Sequence, residues 1–421
     1  MSGPLQFEIE CQSSSCDARL GRVTVPHGSF ETPAFMPVGT RGTVKGLLPK
    51  QVAATGSQIL LNNAYHLMLR PGDELIRELG GVHEFMQWHG PILTDSGGFQ
   101  AWSLADTNLL GEDGIIFKSI IDGSKVELTP ERSMRVQNNL GADIIMAFDD
   151  CPPSVDAASR VRDQRPELAA AHDKQVGSDH RRRLVEAIDR TARWLERCVA
   201  AHDRSADQAL FGIVQGGPDE ALRRRSVEQV TAFDLPGYAI GGVAVGESTE
   251  VLHATVQMTA PMLPADRPRY LMGVGYERDL VAGVRAGVDM FDCVLPTRNG
   301  RSGSIFMPTG RAQIKNARFR ADNTVIDARC DCDACGGGFT RAYLRHLFIS
   351  GEMLGPILLS LHNIRHFQRL MVDIRRVIRD DAWSSLADTW PVLRTPPAEA
   401  GHRSASADLT GNHAGSRSMD Q

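Results

Sequence analysis

Three apolar runs of the chain each end on an aspartate: GPILTDSGGFQ (90–100), GADIIMAFDDC (141–151) and GVDMFDCVLPTRNGR (287–301). Runs rich in Ile, Met, Phe and Leu without polar alternation are typical of strands buried on both faces of a parallel sheet. The loops after such strands face the same way. We therefore expect Asp95, Asp149 and Asp292 to share one pocket. Carboxylates gathered in a cleft indicate chemistry or ligand recognition there.

Two of these carboxylates could carry out a double displacement at a sugar carbon. One would attack the anomeric carbon to form a covalent glycosyl-enzyme, while the other moves protons. Asp292 and Asp95 fit these roles. Asp149 has no required place in this chemistry, but it could accept hydrogen bonds from an amide N–H and an exocyclic amine, the donor pair of a guanine edge. For any one aspartate alone, a loop cap or a salt-bridge partner is the alternative.

Three cysteines form a C-x-C-x₂-C pattern at Cys330, Cys332 and Cys335. This spacing lets three thiolates reach one ion from a tight turn, and a histidine would complete a closed, structural zinc site. The candidates for the fourth ligand are His346, His362 and His366. Disulfides are disfavoured because three clustered cysteines leave an odd one and a cytosolic chain is kept reduced. We predict one structural Zn²⁺.

Composition places the chain among globular proteins with room for a large core, since 42% of its 421 residues are hydrophobic. It lacks both a membrane-spanning apolar run and a signal peptide, so we expect a cytoplasmic protein without membrane contact. The net charge of −5 gives no global sign of nucleic-acid binding. Residues 298–345, however, carry nine Lys and Arg against four Asp. This basic stretch beside the third aspartate motif favours a polyanionic substrate over a merely solvated face.

Eight apolar segments alternate with helix-like stretches, which predicts a (β/α)8 TIM barrel. The predicted strands are 33–38, 58–63, 91–95, 143–149, 210–215, 238–242, 270–274 and 289–294. An open doubly wound sheet is the alternative, but no G-x-G-x-x-G follows a first strand. In a barrel the aspartates would lie at the C-terminal strand ends, where catalytic residues are found.

We predict segments outside the barrel at both ends of the chain, and two insertions between them. We divide the chain into an N-terminal segment packing on the barrel (1–32), the barrel core (33–300) with a mobile loop insertion (155–183), a zinc-binding subdomain inserted after strand eight (301–365), the final barrel helix region (366–394) and a disordered tail (395–421). The loop and the tail are assigned from their polar composition.

Several of these motifs together resemble those of bacterial tRNA-guanine transglycosylases, also called queuine tRNA-ribosyltransferases. The resemblance is carried by LTDSGGFQ, MAFDDCPP, FGIVQGG, GYAIGGVAVGE, YLMGVG, MFDCVLPTRNGR and the cysteine motif with its later LHN, and it covers roughly residues 20–390. It implies a zinc-containing TIM barrel. The implied reaction exchanges the wobble guanine of tRNAs with a GUN anticodon (Asp, Asn, His, Tyr) for 7-aminomethyl-7-deazaguanine (preQ1), in queuosine biosynthesis.

The resemblance also implies roles for individual residues. Asp292 would be the nucleophile and Asp95 the proton-transfer group. The base would be bound by Ser96, Phe99, Asp149, Gln215, Gly242, Val243 and Met272, the RNA by Arg298 and Arg301, and zinc by Cys330, Cys332, Cys335 and His362. Members of the family often have Glu where this chain has Asp150 and Leu where it has Val243. The bulk of Cys151 and Val245 favours the small aminomethyl base over queuine.

The implied partners are the tRNA, a free guanine or 7-deazaguanine base, and a second copy of the chain. Phe339, Tyr343 and His346 could form an aromatic face for such a homodimer, or belong to the core of the zinc subdomain. A TIM-barrel glycosidase is a rival interpretation, but its groove is usually lined by Trp and Tyr, and this chain has five of each. A non-catalytic tRNA-binding subunit is a second rival, disfavoured because Asp292 is present.

Overall fold

Strands of the computed structural model, which describes residues 3–103, 108–154 and 173–394, fall into a barrel and three small antiparallel sheets. In chain order they are β1 (Gln6–Gln12), β2 (Arg19–Val25), β3 (Gly28–Thr32), β4 (Ala34–Pro37), β5 (Leu60–Asn62), β6 (Ile92–Thr94), β7 (Asn108–Leu110), β8 (Ile115–Lys118), β9 (Lys125–Leu128), β10 (Ile144–Met146), β11 (Ala209–Val214), β12 (Gly237–Ile240), β13 (Arg269–Leu271), β14 (Met290–Cys293), β15 (Ser304–Met307) and β16 (Gly310–Gln313).

Eight of these strands, β4, β5, β6 and β10 to β14, pair in parallel around a ring. β4 pairs with β14, and a parallel bridge between Val38 and Leu61 brings the first barrel strand to the second. The interior is filled by side chains such as Met36, Phe211 and Met290, all completely buried. Because these strands are buried on both faces, they lack polar alternation. The predicted TIM barrel is confirmed.

The sheet β1–β2–β3 packs against the N-terminal end of the barrel, where the barrel strands begin. Val23 and Phe30 belong to the same buried cluster as the barrel interior. Two buried aspartates also join this sheet to the barrel. Asp289 accepts hydrogen bonds from Arg19 Nε at 2.8 Å and from the Arg269 N–H at 2.7 Å. Asp143 lies 2.7 Å from His27 Nδ1 and accepts from the Ile92 N–H at 2.9 Å.

The helices cover the outside of the barrel and build the region after β14. They are α1 (Pro49–Ala54), α2 (Ala64–Leu69), α3 (Asp73–Glu78), α4 (Gly81–Met86), α5 (Gly98–Ser103), α6 (Pro130–Leu140), α7 (Asp173–Ala201), α8 (Glu220–Thr231), α9 (Thr249–Thr259), α10 (Glu277–Arg285), α11 (Leu295–Ser302), α12 (Asp333–Gly336), α13 (Arg341–Ile349), α14 (Leu354–Arg379) and α15 (Trp383–Thr389). Across the described parts of the chain, none of them combines the length and apolar character needed to span a membrane.

Two helices begin at a side chain that caps the first turn. The Thr129 side chain caps α6 by accepting from the Arg132 N–H at 3.2 Å, and Pro130 is the first residue of that helix. Asp219 caps α8 by accepting from the Leu222 N–H at 3.1 Å. These caps satisfy backbone donors that the helix itself leaves without partners.

Two predicted segments fall wholly or partly outside the described residues. Of the loop insertion at 155–183, residues 155–172 lie outside them, and residues 173–183 form the first turns of α7. In α7, Arg182 lies within ion-pair distance of Asp179 and Glu186, one turn away on either side. The predicted tail at 395–421 also lies outside the described residues.

The chain after β14 forms a lobe with its own small core. The hairpin β15–β16, α12, α13 and the start of α14 surround buried side chains that include Ile305, Ile314 and Leu344. α14 then continues without a break through residue 365, the predicted boundary, and its second half packs on the barrel. Gln368 Nε2, for example, donates to the Phe35 carbonyl at 2.9 Å. One continuous helix thus joins the lobe to the barrel.

Candidate active site

A cavity of about 190 Å³ opens at the C-terminal ends of the barrel strands. Asp95 comes directly after β6, Asp149 follows β10, and Asp292 lies within β14. The structure brings all three side chains to the wall of this one cavity. Catalytic residues of TIM-barrel enzymes lie at this end of the barrel.

Asp292 has one carboxylate oxygen fixed by two hydrogen bonds. Oδ1 accepts from the Tyr270 hydroxyl at 2.6 Å and from the Gly273 N–H at 2.7 Å. Among the described residues, no donor contacts Oδ2. Burial raises the pKa of Asp292, while the two hydrogen bonds oppose that shift. The arrangement holds the carboxylate in one orientation and leaves one oxygen for a reaction partner.

Asp95 is held more completely. Its carboxylate accepts from the Ala64 N–H at 2.8 Å, from Gln100 Nε2 at 2.9 Å and from the Asn63 side chain. Burial raises the pKa of Asp95 from 3.8 to about 6, the hydrogen bonds counteract this, and the charge of Asp292 adds to it. A carboxyl group with a pKa near 6 can both give and take a proton at neutral pH.

Asp149 is buried, with 6% of its surface exposed. Gln215 Nε2 donates to its Oδ2 at 2.6 Å. Burial raises the pKa of Asp149 from 3.8 to about 7, with smaller contributions from the charges of Asp150 and Asp95. The neighbouring Asp150 is itself paired with Arg183 and Arg190 of α7. Hydrogen-bond donors placed in the pocket would stabilise the ionised carboxylate of Asp149 and so lower its pKa.

Further predicted residues form the walls around these carboxylates. Ser96, Phe99, Val243 and Met272 line the cavity, as does Gly242. Gln215 stands behind it, in contact with Asp149. The surface combines an aromatic ring, a thioether and backbone groups, which suits a flat polar heterocycle.

The backbone at Val243 is held by a buried acid. The Glu247 carboxylate accepts from the N–H groups of Ala244 and, at 3.1 Å, Val245. In a trans peptide the carbonyl points opposite to the N–H, so the Val243 carbonyl points away from Glu247. Ala244 has φ +58°, a strained conformation for alanine. The peptide that follows Val243 is therefore held in one orientation.

A second group of residues could hold a metal ion in the lobe. Cys330, Cys332, Cys335 and His362 are all buried, and their ligand atoms lie within 4.8 Å of one another. His362 Nδ1 is 3.6 Å from Sγ of Cys332 and 3.4 Å from Sγ of Cys335. His362 Nε2 lies 2.8 Å from the Phe306 carbonyl, which leaves Nδ1 for an ion. Three sulfurs and one imidazole nitrogen fit a closed tetrahedral site.

Comparison with known proteins agrees with this arrangement. A family model described as queuine tRNA-ribosyltransferase matches residues 13–393. The chain belongs to the queuine tRNA-ribosyltransferase family. The queuine tRNA-ribosyltransferase of Thermus thermophilus is 52% identical over 384 residues, which are 91% of this chain and 93% of the relative. That of Herpetosiphon aurantiacus is 50% identical over 384 residues, 91% of this chain and 92% of the relative.

Membership of the queuine tRNA-ribosyltransferase family confirms the resemblance and makes the chain a pentosyltransferase. Of the two arginines that the resemblance assigns to RNA, Arg298 lies in a groove that adjoins the cavity. Arg298 and Arg301 are one turn apart on α11, which begins two residues after β14. Arg298 lines a second groove that shares Gly273 and Val294 with the cavity. Burial and the nearby Arg298 lower the pKa of Arg301.

Sequence reasoning missed most of the residues that position the carboxylates. Asn63 and Gln100 hold Asp95, Tyr270 holds Asp292, and Glu247 holds the backbone at Ala244. Asn63 offered one usable signal, because it follows a barrel strand just as the aspartates do. Tyr270 offered none, since it lies in β13, and only the pairing of β13 with β14 brings its hydroxyl to Asp292.

Because the pKa of Asp149 is raised in the folded protein, we predict that its contribution to the free energy of unfolding falls as the pH rises. The folded protein keeps a proton that the unfolded chain releases above its ordinary pKa of 3.8. The stabilisation is therefore fully present below about pH 4 and is lost as the pH rises through about 7, by roughly 4 kcal/mol. Asp149→Asn cannot ionise. We expect it to gain free energy of unfolding relative to wild type between about pH 4 and about pH 8 in denaturant titrations. A constant difference would contradict the prediction.

Proposed function

We propose that this chain exchanges the wobble guanine of GUN-anticodon tRNAs (Asp, Asn, His, Tyr) for preQ1, by double displacement through a covalent enzyme–tRNA intermediate. The observation that carries the proposal is the pairing of two differently held carboxylates in one cavity. Asp292 has one oxygen without a described donor, whereas Asp95 is fully hydrogen-bonded and has a pKa of about 6.

The proposed reaction has two steps. Asp292 Oδ2 attacks C1′ of the ribose, the bond from C1′ to guanine breaks, and guanine leaves with the electron pair and takes a proton from Asp95. The incoming base then returns a proton to Asp95 and attacks C1′, and the ester to Asp292 breaks. After the first step Asp292 carries the ribose and Asp95 has lost its proton, and the second step restores both, so the complete cycle returns the enzyme to its original atoms and charges. The separate environments of the two carboxylates support the division of roles.

Recognition of the base is proposed to combine hydrogen bonds with stacking. Asp149 accepts from the donor edge of the purine, Ser96, Gln215 and the Gly242 N–H bind its polar atoms, and the Val243 carbonyl accepts from the aminomethyl group. Phe99 and Met272 enclose the ring. The position of each on or directly behind the cavity wall supports this assignment.

The tRNA is proposed to reach this cavity with its wobble nucleotide turned out of the anticodon loop. Flipping is cheap in a single-stranded loop and is aided by stacking on an aromatic ring such as Phe99. Arg298 and Arg301 would contact the flanking nucleotides. We propose a cytoplasmic location, because the proposed substrate is tRNA. Cys151 and Val245 narrow the cavity, which supports preQ1 over queuine as the incoming base; tight binding of queuine would contradict this preference.

We propose that the lobe binds one structural Zn²⁺. Its four proposed ligands are Cys330, Cys332, Cys335 and His362, and this donor set leaves no open position for chemistry. The ion would hold together the loop that connects β16 with α13. It takes no part in the proposed bond changes.

The lobe is also the proposed surface of a homodimer. Stacked rings of Phe339 and Tyr343 lie 5.9 Å apart, and Tyr343 is 6.4 Å from His346. Ile349 and Met353 beside them are 60% and 80% exposed. Exposed apolar side chains of this size are typical of an interaction surface.

A charge placed on this surface should separate the protomers. We expect Met353→Glu to raise the dimer dissociation constant at least about 100-fold, because the new carboxylate would lose its hydration on association. Val372→Glu is the matched control, since Val372 is also exposed and lies on α14. Sedimentation velocity should show half the wild-type mass for Met353→Glu alone. Equal masses for the two variants would place the interface elsewhere.

The proposed function is tested by incorporation of labelled guanine and of preQ1 into a tRNA with a GUA anticodon. The control is the same tRNA with adenine at the wobble position. Exchange into the first tRNA alone supports the proposal. Binding of the tRNA without exchange would favour a non-catalytic binding subunit. Release of guanine without incorporation of a new base would favour a glycosidase.

A further inference from the structure

Arg223 is a buried cation directly behind the cavity. It lies on α8 and is 0% exposed. Its Nε donates to the Gly217 carbonyl at 2.7 Å, and Nη1 donates to the carbonyls of Val214, at 3.2 Å, and Gly241, at 2.8 Å. Nη2 donates to the Gly242 carbonyl at 3.2 Å. Among the described residues, no carboxylate forms a salt bridge with it.

A buried cation without a salt-bridge partner is costly, and the nearby charge of Glu247 offsets only part of this cost, so the presence of Arg223 calls for an explanation. Burial lowers the pKa of Arg223 to about 10, and the side chain is still protonated at neutral pH. Its planar fork of five N–H donors can bind several carbonyls at once. Here the carbonyls come from the ends of β11 and β12 and the loops that follow them. The second of these loops, Gly241 to Val243, forms part of the cavity wall.

These hydrogen bonds fix the direction of two successive peptide groups. The carbonyl and the N–H of a trans peptide point in opposite directions. With the Gly241 carbonyl bound to Arg223, the Gly242 N–H points away from Arg223. Because the Gly242 carbonyl is also bound to Arg223, the Val243 N–H likewise points away from Arg223. Gly242 and Val243 both line the cavity. The Gly242 N–H faces the thiol of Cys151, another residue of the cavity wall, so a ligand in the cavity can approach the N–H side of these two peptides.

The conformation needed for this arrangement excludes a side chain at Gly242. Its φ is +63°, and a Cβ at this position would lie 2.4 Å from Gln215 Oε1. Gln215 is in turn held by α8, because its N–H donates to the Ser226 hydroxyl at 2.9 Å. Arg223 and its helix therefore position both Gly242 and Gln215, and Gln215 in turn donates to Asp149.

We propose that Arg223 is a positioning residue that sets the Gly242 and Val243 N–H groups as a binding site for the carbonyl oxygen of the purine base. This inference rests on the proposed function, because it takes the ligand to be a guanine-type base. When guanine leaves C1′ with the bonding electrons, negative charge spreads over the ring onto that oxygen. Oriented N–H dipoles backed by a buried cation stabilise charge that develops at such a position.

The test compares guanine with 6-thioguanine, which keeps every N–H donor of guanine but replaces the carbonyl oxygen by sulfur, a weaker acceptor. Dissociation constants of both bases are measured by calorimetry for wild type, Arg223→Lys and Arg223→Met. Arg224→Met is the matched control. Arg224 is the next residue of the same helix, is exposed, and pairs with Glu220 at 3.1 Å. Melting curves establish that each variant is folded.

We expect the wild type and Arg224→Met to prefer guanine, and this preference to fall about tenfold in Arg223→Met. Arg223→Lys keeps the charge but has fewer donors, so it should fall in between. Equal weakening of both bases, or no preference for guanine in the wild type, would overturn the inference. Failure of both Arg223 variants to fold would also overturn it and leave Arg223 a stabilising residue. If the wild type binds neither base, the proposed function itself fails.

Discussion

Asp292→Asn is expected to lose base exchange by at least about 10³-fold while still binding tRNA. Asparagine has nearly the same shape and can keep the contacts of Oδ1 with the Tyr270 hydroxyl and the Gly273 N–H. The neutral amide, however, is too weak a nucleophile to attack C1′. The measurement is the rate of labelled guanine incorporation beside the tRNA dissociation constant.

Tyr270→Phe provides a graded comparison for this result. It removes one of the two donors to Oδ1 but keeps the nucleophile. We expect a loss of about tenfold, because the carboxylate loses one orienting hydrogen bond. If Asp292→Asn retained a tenth of wild-type exchange, Asp292 could not be the nucleophile.

Cys335→Ser is expected to destroy the metal site and destabilise the lobe. A structural zinc ion contributes roughly 10–16 kcal/mol of binding free energy in small domains, and that energy is available for folding. The buried core of the lobe is small and contains the cysteines themselves, so it has little else to replace the ion. Exchange should fall as well, because α11, which carries Arg298 and Arg301, leads directly into the lobe and packs on α14.

Metal content and thermal unfolding together check this prediction. Wild type should hold one zinc ion per chain, and Cys335→Ser should hold much less and unfold at a lower temperature. Cys16→Ser is the control, since Cys16 is a half-buried thiol outside the cluster. A Cys335→Ser protein with full metal content and wild-type stability would show that the ion is held elsewhere.

The barrel could be predicted because its strands are short, uniformly apolar and buried on both faces. The same criterion failed for the sheet β7–β8–β9. In β9, Lys125 and Glu127 are exposed while Val126 and Leu128 are buried, so the strand alternates and does not form an apolar run. Alternation is the signal of a half-buried antiparallel strand. A search for continuous apolar segments cannot find it.

The metal ligands show the same division between local and tertiary information. The spacing of the three cysteines is local and indicates the site by itself. Spacing alone did not choose among the histidines. His362 and His366 lie one turn apart on α14, but only His362 reaches the sulfurs, whereas His366 lies 2.8 Å from Glu277. The packing of α14 against the barrel and the lobe decides between them.

In the site, the aspartates could be predicted because parallel strands end at one edge of the barrel. The residues that hydrogen-bond these aspartates, and so orient them and shift their pKa values, could not be predicted. Asp95 depends on Asn63 and Gln100, and Asp292 on Tyr270, all of which come from other elements of the chain. In the sequence, Arg223 is one of three consecutive arginines on a helix, and nothing distinguishes it from the other two. Only the fold shows that it is buried, while Arg224 beside it is exposed.

The most direct test of the proposed mechanism is capture of the covalent intermediate. Wild type and Asp292→Asn are mixed with a labelled GUA-anticodon tRNA in the absence of free base, denatured and separated by electrophoresis. We predict that wild type alone carries RNA into the protein band, that added preQ1 removes it, and that peptide mapping finds ribose on Asp292. Exchange without any covalent adduct, or an adduct that persists in Asp292→Asn, would contradict double displacement through this residue.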